Sequence, residues 1–217
     1  MKKMTKISAA VAALLVAGIA NAATPGAYVG VGAGSSFQQT PNYFGDSSIE
    51  FVPFVDASEK RTGLGGRLFG GYNFNTYFGL EAAYATYATS TNKFSSWFGG
   101  YISGSEKNAL DALSLVAKGY LPLGNSGLNA YVLGGLAEVH NKHTSNYNIM
   151  DESTLNETTT TNTLRPTYGI GMSYNLPQNL TTSVELSRIQ GKGDMYTNSK
   201  ATPNAEMLTI NLGYNFG

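Results

Sequence analysis

The sequence predicts an all-β protein: an eight-stranded antiparallel up-and-down transmembrane β-barrel, preceded by a cleavable signal peptide. Three observations predict this fold class. The amino terminus has the features of a secretory signal, the last ten residues alternate apolar with polar side chains, and the connectors between candidate strands alternate between short and long. Abundant Gly (26), Tyr (14) and Phe (10) agree with strands joined by polar loops.

The first 22 residues have the three parts of a secretory signal. Three lysines come before an apolar stretch from Ala9 to Ala20, and Ala20-Asn21-Ala22 has the A-x-A form of a cleavage site. An uncleaved anchor is the alternative, but the apolar stretch is short for a membrane-spanning helix. We therefore expect residues 1–22 to be a signal peptide and residues 23–217 to form the barrel as one domain.

Eight segments of the mature chain have strand composition. In order they are residues 27–37, 63–74, 77–88, 109–121, 128–140, 164–176, 180–189 and 205–216. The first alternates glycine with valine or alanine, and the last alternates Leu, Ile and Tyr with Thr, Asn and Gly. Three short turns join the second strand to the third, the fourth to the fifth and the sixth to the seventh. They lie at Asn75-Thr76, Pro122 to Gly127 and Pro177 to Asn179.

The remaining connectors are long, and this alternation predicts an orientation. An even number of strands places both termini on the side of the short turns, which is periplasmic in outer membrane barrels, and the long loops on the extracellular side. We therefore expect an integral protein of the bacterial outer membrane.

Alternate positions in each strand separate two surfaces. One is apolar and uncharged at mid-strand, so we expect it to face lipid and to carry an aromatic girdle near the short turns. The predicted girdle is Tyr72, Phe74, Phe78, Tyr131, Tyr174, Tyr214 and Phe216. In strand five this assignment turns Tyr131, Leu133 and Ala137 outward. The core of a soluble sandwich is the alternative for the same pattern.

The other surface mixes small, polar and charged residues, and we expect it to line the lumen. Side chains fill an eight-stranded barrel, so charges inside it need partners. The predicted lumenal charge cluster is Glu81, Lys118, Glu185, Arg67 and Glu138, with Arg165 as a further candidate. Glu81, Lys118 and Glu185 have similar predicted depths, and we expect them to block the free passage of water.

Several segments resemble a known family. They are LFGGYNFNTYFGLEAAY (residues 68–84), AKGYLPL (117–123), VLGGL (132–136), GIGMSYNL (169–176), VEL (184–186) with GD (193–194), and MLTINLGYNFG (207–217). In order and spacing they resemble the transmembrane domain of OmpA-type outer membrane proteins, in the superfamily of OmpA-like and opacity-like barrels. The resemblance implies an eight-stranded barrel with a lumenal Glu81 and Lys118.

The chain also departs from that family. The lumenal arginine that takes part in the family's gate falls at Ser183, and a lumenal glutamate falls at Ser173. Many members continue into a periplasmic peptidoglycan-binding domain, whereas this sequence stops at Gly217. The two serines leave open whether this lumen gates as the family's does, and we expect no tethering to the cell wall by that route.

Charge and composition limit the partners. The mature chain has eleven basic and fourteen acidic residues, a net charge of −3, which does not indicate nucleic acid. Arg188 and Lys192 are predicted to contact lipopolysaccharide phosphates at the outer rim, with merely solvated loops as an equal alternative. The C-terminal strand ending at Phe216 is the expected contact with the barrel assembly machinery.

Catalysis has little support in the sequence. The two histidines, His140 and His143, lie near Ser145, Asp151 and Glu152 in a segment predicted to be a flexible loop, where nothing fixes their geometry. No cysteine or ordered carboxylate completes a metal site, and the glycine runs lack nucleotide-binding spacing. We predict no enzyme, no catalytic or metal site and no cofactor.

Two functional hypotheses remain. The first is a structural role in the outer membrane with display of surface loops for adhesion or host contact. The predicted contact loops carry Tyr43, Phe44, Trp97 and Phe98, which are unusually apolar for exposed loops. The alternative is a narrow porin-like channel for small solutes or ions, which a crowded lumen disfavours. An outer membrane lipid-modifying enzyme is a lesser alternative.

Overall fold

The structure is a computed structural model that describes residues 23–39, 55–97, 101–124, 126–149, 153–192 and 202–216. Ten β-segments make up its regular structure. They are β1 (Gly26–Gln39), β2 (Val55–Lys60), β3 (Thr62–Asn73), β4 (Phe78–Thr86), β5 (Ser90–Trp97), β6 (Tyr101–Pro122), β7 (Leu128–Ile149), β8 (Ser153–Asn175), β9 (Leu180–Ile189) and β10 (Asn204–Asn215). Within these ranges no helix has the length and hydrophobicity needed to cross a bilayer.

All ten segments belong to one antiparallel sheet that closes on itself. β2 runs into β3 after Arg61, and β4 runs into β5 through residues 87–89, so the segments form eight staves, the continuous strands of the barrel wall. Successive staves pair with one another, and β1 pairs with β10 to complete the circle. The predicted eight-stranded up-and-down barrel is therefore confirmed.

The two ends of the barrel differ. At the short-turn end, brief connections join β3 to β4, β6 to β7 and β8 to β9. In the last of these, Gln178 and Asn179 both have positive φ angles, of 64° and 61°, which suits the tight turn between Leu176 and Leu180. The hairpin end is the opposite end, where β5 meets β6 and β7 meets β8.

Long hairpins replace two of the predicted loops. β6, β7 and β8 contain 22, 22 and 23 residues, and β7 stays in one register with β8 from Leu128 opposite Tyr174 to Ile149 opposite Ser153. The segment from Asn141 to Thr163, predicted as a loop, is thus mostly strand. Its threonines favour extended backbone, and the ladder pairs its polar main-chain groups without any apolar face.

The predicted facing of the fifth strand is wrong. In β7 the side chains of Tyr131, Leu133 and Ala137 are buried in the lumen, whereas Val132 and Leu136 are exposed. Both alternating sets of this strand are apolar, because one faces lipid and the other faces an apolar part of the lumen. Periodicity alone therefore could not orient it.

Glu138 lies on the same face of β7 as Val132 and Leu136, and therefore outside the lumen. Its side chain is exposed, and its cross-strand neighbours Leu113 and Leu164 are outward-facing apolar residues. The next outward residue of β7 is His140, so Glu138 lies where the apolar band ends and a charge costs little. The predicted lumenal cluster loses one of its five members.

Between the short turns and the level of Glu138, the outer surface is apolar, as lipid requires. Large exposed side chains, among them Val31, Leu68, Leu115, Ile170 and Ile210, alternate with buried ones. A soluble sandwich would have buried this face. Near the short turns the exposed aromatics are Tyr72, Phe74, Tyr77, Phe78, Tyr214 and Phe216.

Candidate functional site in the barrel lumen

Four charged side chains form a closed ring across the lumen, which we call the charge ring. Arg67 Nη2 lies 2.5 Å from Glu81 Oε1, and Arg67 Nη1 contacts Glu185 Oε1. Lys118 Nζ lies 2.5 Å from Glu81 Oε2 and 3.4 Å from Glu185 Oε2. Positive and negative groups alternate around the ring, so each charge contacts two of opposite sign.

Burial makes each of these charges depend on the others. Glu81 and Glu185 are 0% and 1% exposed, and Arg67 and Lys118 are 9% and 7% exposed. Removing such ions from water is costly, and only close pairing with full hydrogen bonding offsets the cost. The ring has two cations and two carboxylates, so it is electrically balanced.

Two tyrosines complete the hydrogen bonding of the carboxylates. Tyr28 Oη donates to Glu81 Oε2 at 3.0 Å, and Tyr131 Oη donates to Glu185 Oε2 at 3.0 Å. Lys118 Nζ also lies 4.9 Å from the centre of the Tyr131 ring, a cation–π distance. Sequence reasoning missed both residues as members of the site, because Tyr131 was assigned to the girdle and Tyr28 to no role.

Glycines on neighbouring staves make room for the lumenal aromatic rings. A Cβ on Gly30 would lie 2.3 Å from Phe69 Cζ and 2.6 Å from the Leu212 carbonyl oxygen. Gly71 lies against the Tyr28 ring and Gly171 against the Tyr131 ring in the same way. A glycine opposite an aromatic residue is the sequence signal for a lumenal ring. It can be recognised only when the cross-strand register is known.

A cluster of apolar side chains fills the lumen on the hairpin side of the charge ring. We call it the apolar plug, and it consists of Tyr87, Leu110, Ala112, Ala137, Val139, Ile189, Ala205 and Met207. Leu110 and Met207 are each 1% exposed. Tyr87 enters the lumen at the irregular junction between β4 and β5, where its main-chain nitrogen donates to the Leu110 carbonyl at 2.9 Å.

Two small cavities flank the charge ring. The one between the ring and the plug measures about 30 Å³ and is lined by Arg67, Glu185 and Met207 among others. The one toward the short turns measures about 50 Å³, and its wall includes Ser173 and Ser183. Each has room for a few water molecules only, so the lumen is interrupted rather than open.

The positions of Ser173 and Ser183 show how this lumen differs from the pattern of the OmpA-type family. The two serines are directly paired across β8 and β9, and Ser183 Oγ accepts a hydrogen bond from Asn211 Nδ2 at 3.1 Å. The second cation of the ring is Arg67 on β3. Arg165 lies nearer the hairpin end, where its Nη2 lies 3.5 Å from Thr202 Oγ1.

The predicted rim residues lie at the hairpin end. Arg188 faces outward and forms an ion pair with Glu206, with Nη1 3.1 Å from Oε1. Lys192 is exposed and forms an isolated bridge with Thr202. Of the predicted contact loops, Trp97 ends β5 opposite Tyr101. Tyr43, Phe44 and Phe98 lie outside the described residues.

The two histidines point to opposite faces of β7. His140 faces outward and its Nδ1 lies 2.6 Å from Asn162 Oδ1, whereas His143 faces the lumen. A separation of three residues on a strand has this result, so the pair cannot chelate one metal ion. Among the described residues, no three His, Asp or Glu side chains come together as metal ligands.

Comparison with known families agrees with this architecture. The profile of the family described as "Outer membrane protein beta-barrel domain" matches residues 7–216. The chain belongs to this family. It is therefore an integral protein of the bacterial outer membrane, and its predicted recognition as an outer membrane β-barrel protein is confirmed.

The individual proteins that resemble this chain have low sequence identity to it. An uncharacterized protein of Coxiella burnetii (strain RSA 493 / Nine Mile phase I) is 30% identical over 181 residues, which cover 73% of this chain and 71% of the relative. Neisserial surface protein A is 14% identical with a TM-score of 0.50, covering 88% of this chain and 97% of that one. OprG of Pseudomonas aeruginosa is 12% identical with a TM-score of 0.49, covering 88% and 97%.

Proposed function

We propose that this outer membrane barrel has a structural role and presents ordered hairpins on the cell surface. One observation carries the proposal: the lumen is closed by the charge ring and the apolar plug, while β6, β7 and β8 continue beyond the apolar band. A closed core of this kind supports a rigid scaffold, and rigid scaffolds commonly carry function at their extensions.

The proposal includes an orientation. The short turns and both termini face the periplasm, and the hairpin end faces the outside of the cell, as the alternation of connector lengths favours. Because the sequence contains no cysteine, single-cysteine labelling tests this cleanly. In intact cells a membrane-impermeant maleimide should label Thr158→Cys and should not label Ser126→Cys until the outer membrane is permeabilised.

Conductance separates this role from a narrow porin-like channel. Purified protein in planar bilayers should show no steady single-channel current, because the space beside the charge ring holds only a few waters. A steady current carried by folded wild-type protein would favour the channel instead. The same recordings on Lys118→Ala serve as a comparison, since that substitution removes one of the groups that fill the cross-section.

Contact with lipopolysaccharide is part of the proposal. Arg188 faces outward and is paired with Glu206, and Lys192 is exposed at the same end together with the outward-facing Lys107 and Lys142. These cations are the proposed contacts of lipid phosphates. Alanine at Arg188 and Lys192 should reduce the lipopolysaccharide that co-purifies. Unchanged co-purification would mean that the rim residues are merely solvated and do not bind lipopolysaccharide. Docking of the strand ending at Phe216 on the assembly machinery, and binding of a host ligand, are the remaining proposed partners.

A further inference from the structure

A chain of hydrogen bonds lies in the lumen beyond the apolar plug. Ser145 Oγ is 2.9 Å from His143 Nε2, and His143 Nδ1 is 2.8 Å from Asn108 Oδ1. The hydroxyl therefore meets one ring nitrogen and the amide oxygen meets the other. We propose that Ser145, His143 and Asn108 form a serine hydrolase centre that cleaves short-chain carboxylic esters.

The atoms occupy the roles that this chemistry requires. An amide oxygen can only accept a hydrogen bond, so Asn108 Oδ1 holds the proton on His143 Nδ1. Nε2 then carries a lone pair and accepts the hydrogen bond that Ser145 Oγ donates. A base oriented by a third group and aimed at a hydroxyl is the arrangement that activates a nucleophile, and asparagine occupies the third position in some hydrolases.

Strand register fixes this geometry. His143 and Ser145 lie on the lumenal face of β7, Asn108 lies directly opposite His143 on β6, and Glu106 lies directly opposite Ser145. The loop predicted for this segment would have left the three groups mobile, whereas the paired strands hold them as a scaffold holds a designed site. Ser145 and Asn108 are 7% and 4% exposed, which keeps competing water away from the hydrogen bonds.

The reaction balances without a cofactor. Ser145 Oγ bonds to the ester carbonyl carbon while its proton passes to His143 Nε2. When the carbon–oxygen bond to the alcohol breaks, the alcohol departs with that proton and the acyl group stays on Ser145. Water then attacks the acyl carbon and gives a proton to Nε2, the acid leaves, and Ser145 recovers its proton.

The position of the centre determines the substrate class. Outward side chains on β7 cease to be apolar at Glu138, and Ser145 lies farther along the same strand on the opposite face. A lipid acyl chain in the bilayer is thus separated from Ser145 by the barrel wall. The substrate class that fits this position is a short, water-soluble ester that enters the lumen from the hairpin end.

Labelling by a fluorescent fluorophosphonate tests the centre directly. Wild-type protein, folded in detergent micelles and verified by heat-modifiable gel mobility, should be labelled on the peptide containing Ser145. Ser145→Ala and His143→Ala should each reduce the labelling rate by about 100-fold or more. Ser114→Ala, which removes another lumenal hydroxyl on a spanning strand, should leave the rate unchanged.

Hydrolysis assays give the second readout. The wild type should hydrolyse p-nitrophenyl butyrate and should leave phosphatidylcholine vesicles intact. Asn108 is a positioning residue, so Asn108→Asp, which retains an acceptor oxygen, should keep more of the butyrate activity than Asn108→Ala at equal folded fraction. A structural role for Asn108 would affect the folded fraction and not the rate per folded molecule.

Three results would overturn the proposal. They are absence of labelling of folded wild-type protein, equal labelling of Ser145→Ala, and an adduct located at a residue other than Ser145. The last of these decides the matter even when a substituted protein fails to fold. Turnover of phosphatidylcholine without turnover of the butyrate ester would overturn the assigned substrate class.

Discussion

Lys118 shows how strongly one residue depends on its surroundings in this barrel. Its ammonium group contacts both ring carboxylates and lies over the Tyr131 ring. Alanine at this position leaves Arg67 as the remaining ring cation for two buried carboxylates. Breaking a buried pair in this way costs about 3–5 kcal/mol. We expect Lys118→Ala to lower the free energy of unfolding in urea by that amount, measured on vesicle-embedded protein by gel mobility.

The matched control for this substitution is Lys142→Ala. Lys142 is exposed on the outward face of β7, and surface changes of this kind usually alter stability by less than about 0.5 kcal/mol. Equal destabilisation by the two substitutions would mean that the ring charges do not depend on one another.

Gly30 gives a second prediction at the scale of the residue. A methyl group there would collide with the Phe69 ring and with the main chain at Leu212, and the main chain cannot move aside. We expect Gly30→Ala to destabilise the barrel by about 1–3 kcal/mol. Gly134→Ala is the control, because a Cβ at Gly134 meets nothing within 4 Å. Similar losses for both would point to chain entropy and not to the collision.

The lumenal charges were accessible to sequence reasoning, whereas the tyrosines that bind them were not. The strand alternation predicts that the four ring charges face the lumen, because the opposite face of each strand is apolar and meets lipid. These residues are Arg67, Glu81, Lys118 and Glu185. Tyr131 is amphipathic and fits either a girdle or a lumen. Only the register that places Gly171 opposite it decides between the two.

Among the elements, the β7–β8 hairpin extends well beyond the apolar band. Its outer part is joined by main-chain pairing and by contacts such as that between Thr144 and Thr158, whose hydroxyls lie 3.4 Å apart. The charge ring and the apolar plug lie below this part. Shortening the hairpin by deletion of residues 142–160 should therefore leave a folded barrel.

The readout is heat-modifiable gel mobility after refolding. The shortened protein should still migrate as a compact species before boiling and as an unfolded one after it. Loss of the compact species would show that the outer hairpin contributes to barrel folding. The deletion also removes His143 and Ser145, so it should abolish labelling by the fluorophosphonate.

The eight staves were predictable, but the lengths of five of them were not. Apolar alternation marks a strand only where one face meets lipid, and it stops at residues such as Glu138 on β7. Beyond Val139 the pairing continues with mostly polar residues on both faces, and the Thr-rich composition resembles that of a loop. The junction between β4 and β5 was missed for a related reason, since one extra residue there shifts the parity within a single stave.

For the whole molecule, the charge ring should respond as a unit. Replacing Arg67 and Lys118 with methionine, and Glu81 and Glu185 with glutamine, removes every ring charge at once. Replacing all members of a buried ion group with uncharged residues often changes the free energy of unfolding little. We expect the quadruple variant to unfold at a higher urea concentration than Lys118→Ala, and a quadruple variant less stable than that single one would contradict the ring.

The ion pairs of the charge ring also affect how the barrel closes during folding. Glu185 stands on β9, and its cationic partners stand on β3 and β6, which β9 meets only through the interior. A sheet that has paired its staves but not yet rolled shut gains nothing from these two contacts. The attraction of Glu185 to Arg67 and Lys118 therefore arises only when the barrel closes. It couples formation of the seam between β1 and β10 to the filling of the lumen, so half-closed forms should be sparsely populated.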